Sequence, residues 1–423
     1  MGIREKINNS KLREESEEEN VPIVDLILRR IKYISEKEGH TILAVCPNSL
    51  NVVKAALHAA KRANAPIKFA ATLNQVDIDG GYTTWTQYDL VRKIKEESYR
   101  IGYNGPIIVA VDHGGPWLKD IQASEKWDLD KCMNWIKRSF EASLLAGYDL
   151  IHIDPTVDIF NRQIKIETVV ERTLGLISHV EKFRKSKKIK PISYEVGTEE
   201  VDGGLANINI FKKFLKLLKD GLKNIGLEYV WPIFIVAKVG TDLHTSKFDS
   251  TVAKLLVNIT KDYGSYIKGH YTDFVSNPED YPKSGMGAAN VGPEFTTLEY
   301  DALSELCLIE DELYRSNKVG CRSNFKEILE KAVLESNRWK KWLQGNEKDF
   351  DSLSKERKEW ILKTSCRYVW AIPEVKCARM ELYRNLKLNG IDPEDWILMK
   401  IEKGMDKYFR AFNLININKK LDI

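Results

Sequence analysis

Short apolar runs alternate with longer amphipathic segments along the chain from residue 41 onward. Eight such runs recur, and seven are continuously apolar, which is typical of parallel strands buried on both faces. Four begin with proline, a residue suited to the first position of a strand. The eight runs span residues 41–47, 66–75, 106–113, 149–156, 191–199, 232–240, 265–273 and 287–293.

The segments between these runs have helical character. Several end in glycine, a usual residue at the C-terminal end of a helix, whereas the proline-rich segment between the seventh and eighth runs is predicted to be a loop. Eight strand–helix units predict an α/β fold, namely a (β/α)8 TIM barrel. A doubly wound open sheet is the alternative, and eight repeats with polar residues at so many strand ends favour the closed barrel.

The pattern divides the chain into three regions. Residues 1–20 are predicted to be a charged, partly frayed N-terminal lead-in, and residues 21–315 the barrel. The strand pattern stops near residue 316, so residues 316–423 are predicted to form a C-terminal helical extension. We expect this extension to pack on the barrel or on a neighbouring subunit, with its aromatic side chains in a core.

Composition narrows the class of protein. The 423 residues are 43% hydrophobic and 30% charged, as in an ordinary globular protein. The 65 basic and 61 acidic residues nearly balance, so no basic surface points to nucleic acid. No apolar stretch approaches the roughly 18 residues of a membrane span. Six cysteines without a CxxC pair, and no signal peptide, lead us to expect reduced thiols in a cytoplasmic protein.

Metal-binding side chains follow four of the predicted strands. His113, His244 and His270 come where the third, sixth and seventh runs end, and Glu195 and Glu199 lie at the end of the fifth. The carboxyl ends of barrel strands share one face, so these side chains are expected to converge there. Imidazole nitrogens with carboxylate oxygens suit a divalent metal, with zinc expected and manganese, cobalt or nickel as alternatives.

Other polar residues at the strand ends are predicted to bind substrate hydroxyl groups. They are Asn74, Gln75, Asp154, Lys238, Tyr271, Asp273 and Asn290. His152 lies two residues before Asp154, on the same face of its strand, and is predicted to be a structural histidine of the core.

Several motifs, in chain order, resemble a known family. They are TLNQVDIDGGYT, VDHGGP, IHIDPT, SYEVGTEE, VGTDLH, GHYTDF, VGPEFTTLEYDALSELCLIEDEL and RYVW, between about residues 41 and 375. Together they resemble the Z-type subunit of class II tagatose-1,6-bisphosphate aldolases, a family that also includes ketose 4-epimerases. The resemblance implies that Asp112 is an acid/base and that His113, His244 and His270 are metal ligands. Glu199 is then a fourth ligand or an acid/base. The position of Glu195 at a strand end makes it a further acid/base candidate.

The sequence departs from the broader aldolase superfamily at its phosphate-binding turn. A Gly-Ser-Gly type turn normally follows the histidine of the seventh strand, but Tyr271, Thr272, Asp273 and Phe274 follow His270 here. This departure favours an unphosphorylated or singly charged sugar. Side chains that could still contact a phosphate are Lys119, Lys238 and Arg367.

These observations lead us to expect an isomerase that interconverts D-fructose and D-tagatose at C4. The hydrogen on C4 of a 2-ketose is not acidic, so inversion requires cleavage and re-formation of the C3–C4 bond, with a metal-stabilised enediolate between. The alternatives are a tagatose-1,6-bisphosphate aldolase, its non-catalytic stabilising subunit, or an epimerase acting on uronates or at C3. The expected partners are a ketose sugar and either further copies of the chain or an aldolase subunit.

Overall fold

Eight parallel strands close into a barrel in chain order, with β8 paired to β1. A computed structural model of the chain describes residues 11–34, 39–161, 163–198, 205–241 and 247–421. The closed order confirms the predicted TIM barrel and excludes the doubly wound sheet. The strands are β1 Ile42–Val45, β2 Ile67–Thr72, β3 Ile107–Gly114, β4 Leu150–Ile153, β5 Ser193–Gly197, β6 Phe234–Val236, β7 Tyr266–Gly269 and β8 Ala288–Val291.

Helices surround the strands and follow them at the C-terminal end. The segment between β7 and β8, predicted to be a loop, contains a four-residue helix, and 3-10 turns occur at Glu228–Val230, Arg338–Trp342 and Cys366–Tyr368. The helices are α1 Lys11–Glu18, α2 Ile23–Ile34, α3 Leu50–Ala63, α4 Gln87–Ile101, α5 Asp120–Ser124, α6 Leu129–Ala146, α7 Ile166–Ser186, α8 Ile208–Asn224, α9 Ser250–Lys261, α10 Asp280–Lys283, α11 Pro293–Arg315, α12 Phe325–Glu335, α13 Lys355–Ser365, α14 Pro373–Lys387, α15 Pro393–Ala411 and α16 Ile417–Lys420.

Local sequence signals set several helix ends. The Ser49 side chain accepts a hydrogen bond from the Val52 amide at the start of α3. Thr86 and Asp89 form a reciprocal capping box at the start of α4, and Gly102 ends that helix in the left-handed conformation. Such caps satisfy backbone groups that a helix leaves unpaired at its ends. The ends of α3 and α4 described above are therefore set by the local sequence.

The N-terminal segment packs beneath the barrel. The described part of the charged lead-in is the helix α1, and its Arg13 guanidinium donates to both carboxylate oxygens of Asp149, at 2.9 and 3.0 Å. The same guanidinium donates to the Ile107 carbonyl at 2.7 Å. Because Asp149 and Ile107 lie at the amino ends of β4 and β3, this contact is on the face opposite the strand ends that carry the polar motifs.

The C-terminal extension packs against the barrel helices of the same chain. Helix α15 lies against α3 and α11, and α14 contacts α11 and α12. The Tyr408 hydroxyl on α15 donates to Glu294 at the start of α11 and lies 3.1 Å from the Thr272 carbonyl beyond β7. The extension thereby reaches the carboxyl ends of the strands. Among the helices described, none is long and apolar enough to cross a membrane.

Candidate active site

A cavity of about 220 Å³, partly open to solvent, lies at the carboxyl ends of the strands. Its walls come from both the barrel and the extension. The barrel side is formed by Cys46, Asn48, Thr72, Asn74, Gln75, Tyr82, Asp112, His113, Leu118, His270, Tyr271, Asp273, Asn290, Gly292 and Pro293. The extension contributes Arg338, Lys341, Trp342, Arg367 and Tyr368.

A bulge at the end of β3 directs two consecutive side chains into this cavity. Consecutive residues of a regular strand point to opposite faces of the sheet. Here the pairing of β3 with β4 shifts register between Val111 and Gly114, and His113 adopts the left-handed conformation with φ of 50°. Such bulges re-aim side chains and concentrate near functional sites. Asp112 and His113 therefore both line the cavity.

The carboxylate of Asp112 lies at the centre of a buried polar network. Its Oδ1 accepts a hydrogen bond from the Lys268 ammonium at 3.0 Å, and its Oδ2 accepts one from the Asn290 amide at 3.0 Å. Burial opposes ionisation, but Lys268, His270 and His113 hold the pKa of Asp112 well below its ordinary value. Asp112 is therefore an ionised carboxylate with little exposure to water.

Three imidazole rings surround this carboxylate. The ring centroid of His113 lies 4.4 Å from that of His270 and 5.4 Å from that of His152, and the His152 and His270 centroids are 5.4 Å apart. The Nε2 atoms of His152 and His270 are buried and make no hydrogen bond. His152 is thus not the fully satisfied core histidine that was predicted: its Nδ1 accepts from the His113 amide at 3.0 Å and lies 3.4 Å from Asp112 Oδ1, but its Nε2 makes no hydrogen bond.

The protonation of the rings follows from their neighbours. Burial and the Lys268 ammonium lower the pKa of His270 to about 3, so its imidazole is neutral. Burial also opposes protonation of His113, but Asp112 and Asp154 raise its pKa above the ordinary value. Asp154 Oδ2 lies 2.7 Å from His113 Nδ1. A carboxylate behind an imidazole fixes the orientation and tautomer of the ring, as it does for many metal-binding histidines.

The donor atoms fit a divalent metal ion. One group comprises Asp112, His152, Glu195 and His270, whose donor atoms lie within 4.8 Å of one another, and a second comprises His113, His152 and Asp154. His152 and His270, each with one ring nitrogen that makes no hydrogen bond, belong to this set, and mixed nitrogen and oxygen donors suit several divalent ions. The residues therefore fit a metal without selecting zinc over manganese or cobalt.

Two buried lysines share the carboxylates of this group. Lys268 contacts both Asp112 and Glu195, and the Lys68 ammonium donates to Glu195 at 2.9 Å. Burial lowers the pKa of Lys68 to about 8 despite that contact. Burial opposes ionisation of Glu195 as well, but Lys268 and Lys68 hold its pKa well below the ordinary value. Charge is therefore balanced beneath the cavity by the chain itself.

The structure brings most of the predicted site residues together. Those that line the cavity are Asn74, Gln75, Asp112, His113, His270, Tyr271, Asp273 and Asn290. Glu195 is buried beneath the cavity, and Asp154 lies behind His113, where its contact supports a positioning role rather than hydroxyl binding. Lys238 is not among the residues of the cavity wall. His244 and Glu199 lie outside the described residues.

The amides of Asn74 and Gln75 are already engaged by the chain. Asn74 donates to the Leu118 carbonyl at 2.9 Å and accepts from the Asp120 amide at 2.8 Å. Gln75 donates to the Asn48 side chain at 2.6 Å and accepts from the Thr72 amide at 2.8 Å. These contacts hold the loops of the cavity wall in place.

The three residues considered for a phosphate contact have different surroundings. The Lys119 ammonium is buried and lies 2.9 Å from carboxylates of both Asp77 and Asp79, so its charge is neutralised within the loop after β2. Lys238 is not part of the cavity wall, whereas Arg367 is. Sequence reasoning named Arg367 but missed Arg338, Lys341 and Tyr368, since the aromatic residues of the extension were expected to lie in a core. It also missed Lys68 and Lys268, whose signal was a lysine within an apolar strand run.

Most of this chain aligns with the sequences of named proteins. Two proteins named D-tagatose-1,6-bisphosphate aldolase subunit GatZ, from Escherichia coli strains SMS-3-5 and O157:H7 EC4115, are each 26% identical over 375 residues. The aligned region covers 83% of this chain and 85% of each relative. These names contradict the expected isomerase. The relatives are subunits of an aldolase, which is a lyase, so the expectation of an epimerase was wrong.

Solved structures share the fold. A probable tagatose 6 phosphate kinase from Sinorhizobium meliloti 1021 superposes with a TM-score of 0.72 at 22% identity, covering 88% of this chain and 100% of that chain. A fructose-bisphosphate aldolase from Campylobacter jejuni superposes with a TM-score of 0.53 at 13% identity, covering 93% and 95%. At these identities the likeness concerns the fold alone.

Family membership is decided by a match over most of the sequence. Residues 28–398 match the family described as D-tagatose-1,6-bisphosphate aldolase subunit GatZ/KbaZ-like. The matched region contains all eight strands, the residues of the cavity wall and most of the extension. The chain belongs to the GatZ/KbaZ-like family of D-tagatose-1,6-bisphosphate aldolase subunits.

Proposed function

We propose that this chain is a subunit of a tagatose-bisphosphate aldolase and that its own cavity cleaves the C3–C4 bond of D-tagatose 1,6-bisphosphate. The products would be two triose phosphates. The observation that carries the proposal is the ionised carboxylate of Asp112, which lines the cavity among three imidazoles, two of them with a free buried nitrogen. A subunit with a purely supporting role has no need of such a group.

A divalent cation would be held by His113 and His270, with His152 as a further donor. When bound, such a cation supplies Lewis-acid polarisation of the ketose carbonyl. His113 would be kept in orientation by Asp154, and His270 is suited to the role because its ring is neutral. The sequence-predicted ligands His244 and Glu199 remain part of the proposal.

Two carboxyl groups in the described cavity wall, Asp112 and Asp273, differ in protonation. Asp112 is ionised, whereas burial raises the pKa of Asp273 to about 7. Paired groups whose pKa values are pushed apart mark base and acid roles. We assign Asp112 to accept the proton of the C4 hydroxyl as the C3–C4 bond breaks. The bond's electron pair stays on C3, and Asp273 then returns a proton to that carbon.

A second function is favoured by the buried lysines. Lys268 and Lys68 balance the charges of Asp112 and Glu195 without a cation. The barrel would therefore remain folded if its site no longer turned over substrate. The chain would then stabilise a partner aldolase subunit, in keeping with the word subunit in the names of its relatives.

A cleavage assay separates the two functions. The purified, metal-loaded chain is given D-tagatose 1,6-bisphosphate, and triose phosphate formation is followed by coupled oxidation of NADH, with and without a partner aldolase subunit. Cleavage by the chain alone that EDTA abolishes would support catalysis in its own cavity. Activity that needs the partner, and that Asp112→Asn leaves unchanged, would support the stabilising role instead.

A further inference from the structure

We propose that the C-terminal extension supplies the phosphate-binding site of this cavity through Arg338, Lys341 and Arg367. The inference rests on the proposed phosphorylated substrate and names the residues that would recognise its phosphate. The residues that follow His270 offer no glycine-rich turn whose backbone amides could cradle an anion. A phosphate in this cavity therefore requires another source of positive charge.

Arg367 is a buried cation in the cavity wall. Its guanidinium carbon lies 5.1 Å from the ring centroid of Trp342 and 4.7 Å from that of Tyr368, and one terminal nitrogen donates to the Tyr368 hydroxyl at 2.9 Å. Among the described residues, no carboxylate lies within 4.0 Å of it. Burial of a charge without a counter-charge is unfavourable. An anion bound in the cavity would supply the counter-charge.

Arg338 and Lys341 bring two more cations to the same wall. Both contact a single carboxylate, Asp120 Oδ2, at 2.5 and 3.5 Å respectively. The Arg338 guanidinium also lies 4.4 Å from the centroid of the Tyr368 ring, and its Nε is buried without a hydrogen-bond partner. Arg338 and Lys341 thus share one carboxylate, and their surplus of charge and the unused Nε donor of Arg338 are available to a ligand.

The phenol of Tyr368 reports the same local charge. Burial alone would raise its pKa, but Arg367, Lys341 and Arg338 lower it below the ordinary value. The positive potential that lowers this pKa also favours a dianionic phosphate monoester. Arginine forks match phosphate oxygens in a bidentate manner, and lysine adds a point charge.

The position of these cations would determine how a bound sugar phosphate lies relative to Asp112 and His270. Arg338, Lys341 and Arg367 line the same cavity as Asp112 and His270. A sugar phosphate held by the extension would present its carbon chain to the strand ends. The extension would then select phosphorylated over unphosphorylated sugars.

Binding measurements test this site without turnover. Dihydroxyacetone phosphate, dihydroxyacetone and inorganic phosphate are titrated calorimetrically into the metal-loaded full chain and into the double variant Arg338→Gln/Lys341→Gln. Lys340→Gln is the matched control, because Lys340 is exposed in the same 3-10 turn and does not line the cavity. Metal content and the circular dichroism spectrum establish that each variant is folded.

We expect the double variant to bind dihydroxyacetone phosphate and inorganic phosphate at least about tenfold more weakly, since charge-assisted hydrogen bonds are lost. Binding of dihydroxyacetone and of metal should be unchanged, and Lys340→Gln should behave as wild type.

If the double variant misfolds, the single variant Lys341→Gln is tested instead, because that side chain is 40% exposed. Equal binding of the phosphorylated ligands by wild type and variant, or no binding by either, would overturn the site. Phosphate binding with these losses but no cleavage would refute the proposed catalysis alone.

Discussion

Asp112 places a negative charge at the centre of the site and holds its neighbours there by hydrogen bonds. Its two oxygens accept hydrogen bonds from Lys268 and Asn290, and the Nε2 atom of His270 lies 3.4 Å from Oδ1. Substitution by asparagine keeps the shape but removes the negative charge, and it leaves the Lys268 ammonium with Glu195 as its remaining partner. The residue therefore links the proposed chemistry to the balance of buried charge.

Asp112→Asn is expected to lower the rate of aldol cleavage by at least about a hundredfold, because the proton acceptor is lost. It should also lower the free energy of unfolding by about 1–3 kcal/mol, because a buried ammonium loses one counter-charge. Steady-state kinetics and thermal melting measure the two effects. A variant that is as active as wild type would exclude Asp112 as the base.

His270→Ala is expected to reduce the metal content of the purified chain. The unpartnered Nε2 atom of His270 is a donor of the proposed metal site, and its loss removes a nitrogen ligand. His179→Ala is the matched control, since His179 lies on α7 and pairs with Glu141 away from the cavity. Elemental analysis after dialysis gives the metal bound per chain. Equal metal in both variants would remove His270 from the ligand set.

At the scale of elements, one histidine joins three helices. His58 on α3 lies 2.8 Å from Glu97 on α4 through Nε2 and 3.2 Å from Glu402 on α15 through Nδ1. The hydrogen bonds to Glu402 and Glu97 raise the pKa of His58 above its ordinary value. Partial burial opposes this rise but does not cancel it. When protonated, this imidazole therefore connects two barrel helices to the extension by charged contacts.

The stabilising effect of His58 should depend on pH. Because the folded state raises its pKa, the contribution is fully present below the unfolded value of about 6.5 and is lost as pH rises through the folded value. His58→Gln should lower the melting temperature by about 1–2 °C at pH 6, and the difference should vanish at pH 9. His179→Gln controls for the substitution itself. A difference that grows with pH would show that protonated His58 does not stabilise the fold.

At the scale of the whole molecule, local pattern predicted the barrel well. Each of the eight apolar runs coincides with a strand, although β3 extends one residue past its run, to Gly114. Strand alternation could also have shown that Lys268 and His270, two residues apart, share a face. The bulge that turns both Asp112 and His113 into the cavity depends on pairing with β4, which the sequence alone does not reveal.

The extension explains where sequence reasoning failed. Its cations meet the barrel loops across more than 200 residues of chain, as the contact between Arg338 and Asp120 shows. No local pattern predicts such a contact. Because no glycine-rich turn follows His270, the sequence favoured an unphosphorylated sugar and an isomerase. In the structure, Arg367 and its neighbours in the extension bring positive charge to the cavity wall from another element. Aldol cleavage and C4 epimerisation begin with the same bond cleavage, so the strand-end residues could not distinguish them.

We propose above that this chain's own cavity performs aldolase chemistry. The most direct test of this proposal is hydrogen exchange in dihydroxyacetone phosphate, which needs neither an aldehyde nor a partner subunit. The metal-loaded chain is incubated with that compound in D2O, and the hydroxymethyl hydrogens are followed by proton NMR. We predict that one of them exchanges for deuterium and that EDTA or His270→Ala stops the exchange. A metal-loaded chain that binds dihydroxyacetone phosphate but exchanges no hydrogen would contradict the claim and place catalysis in the partner.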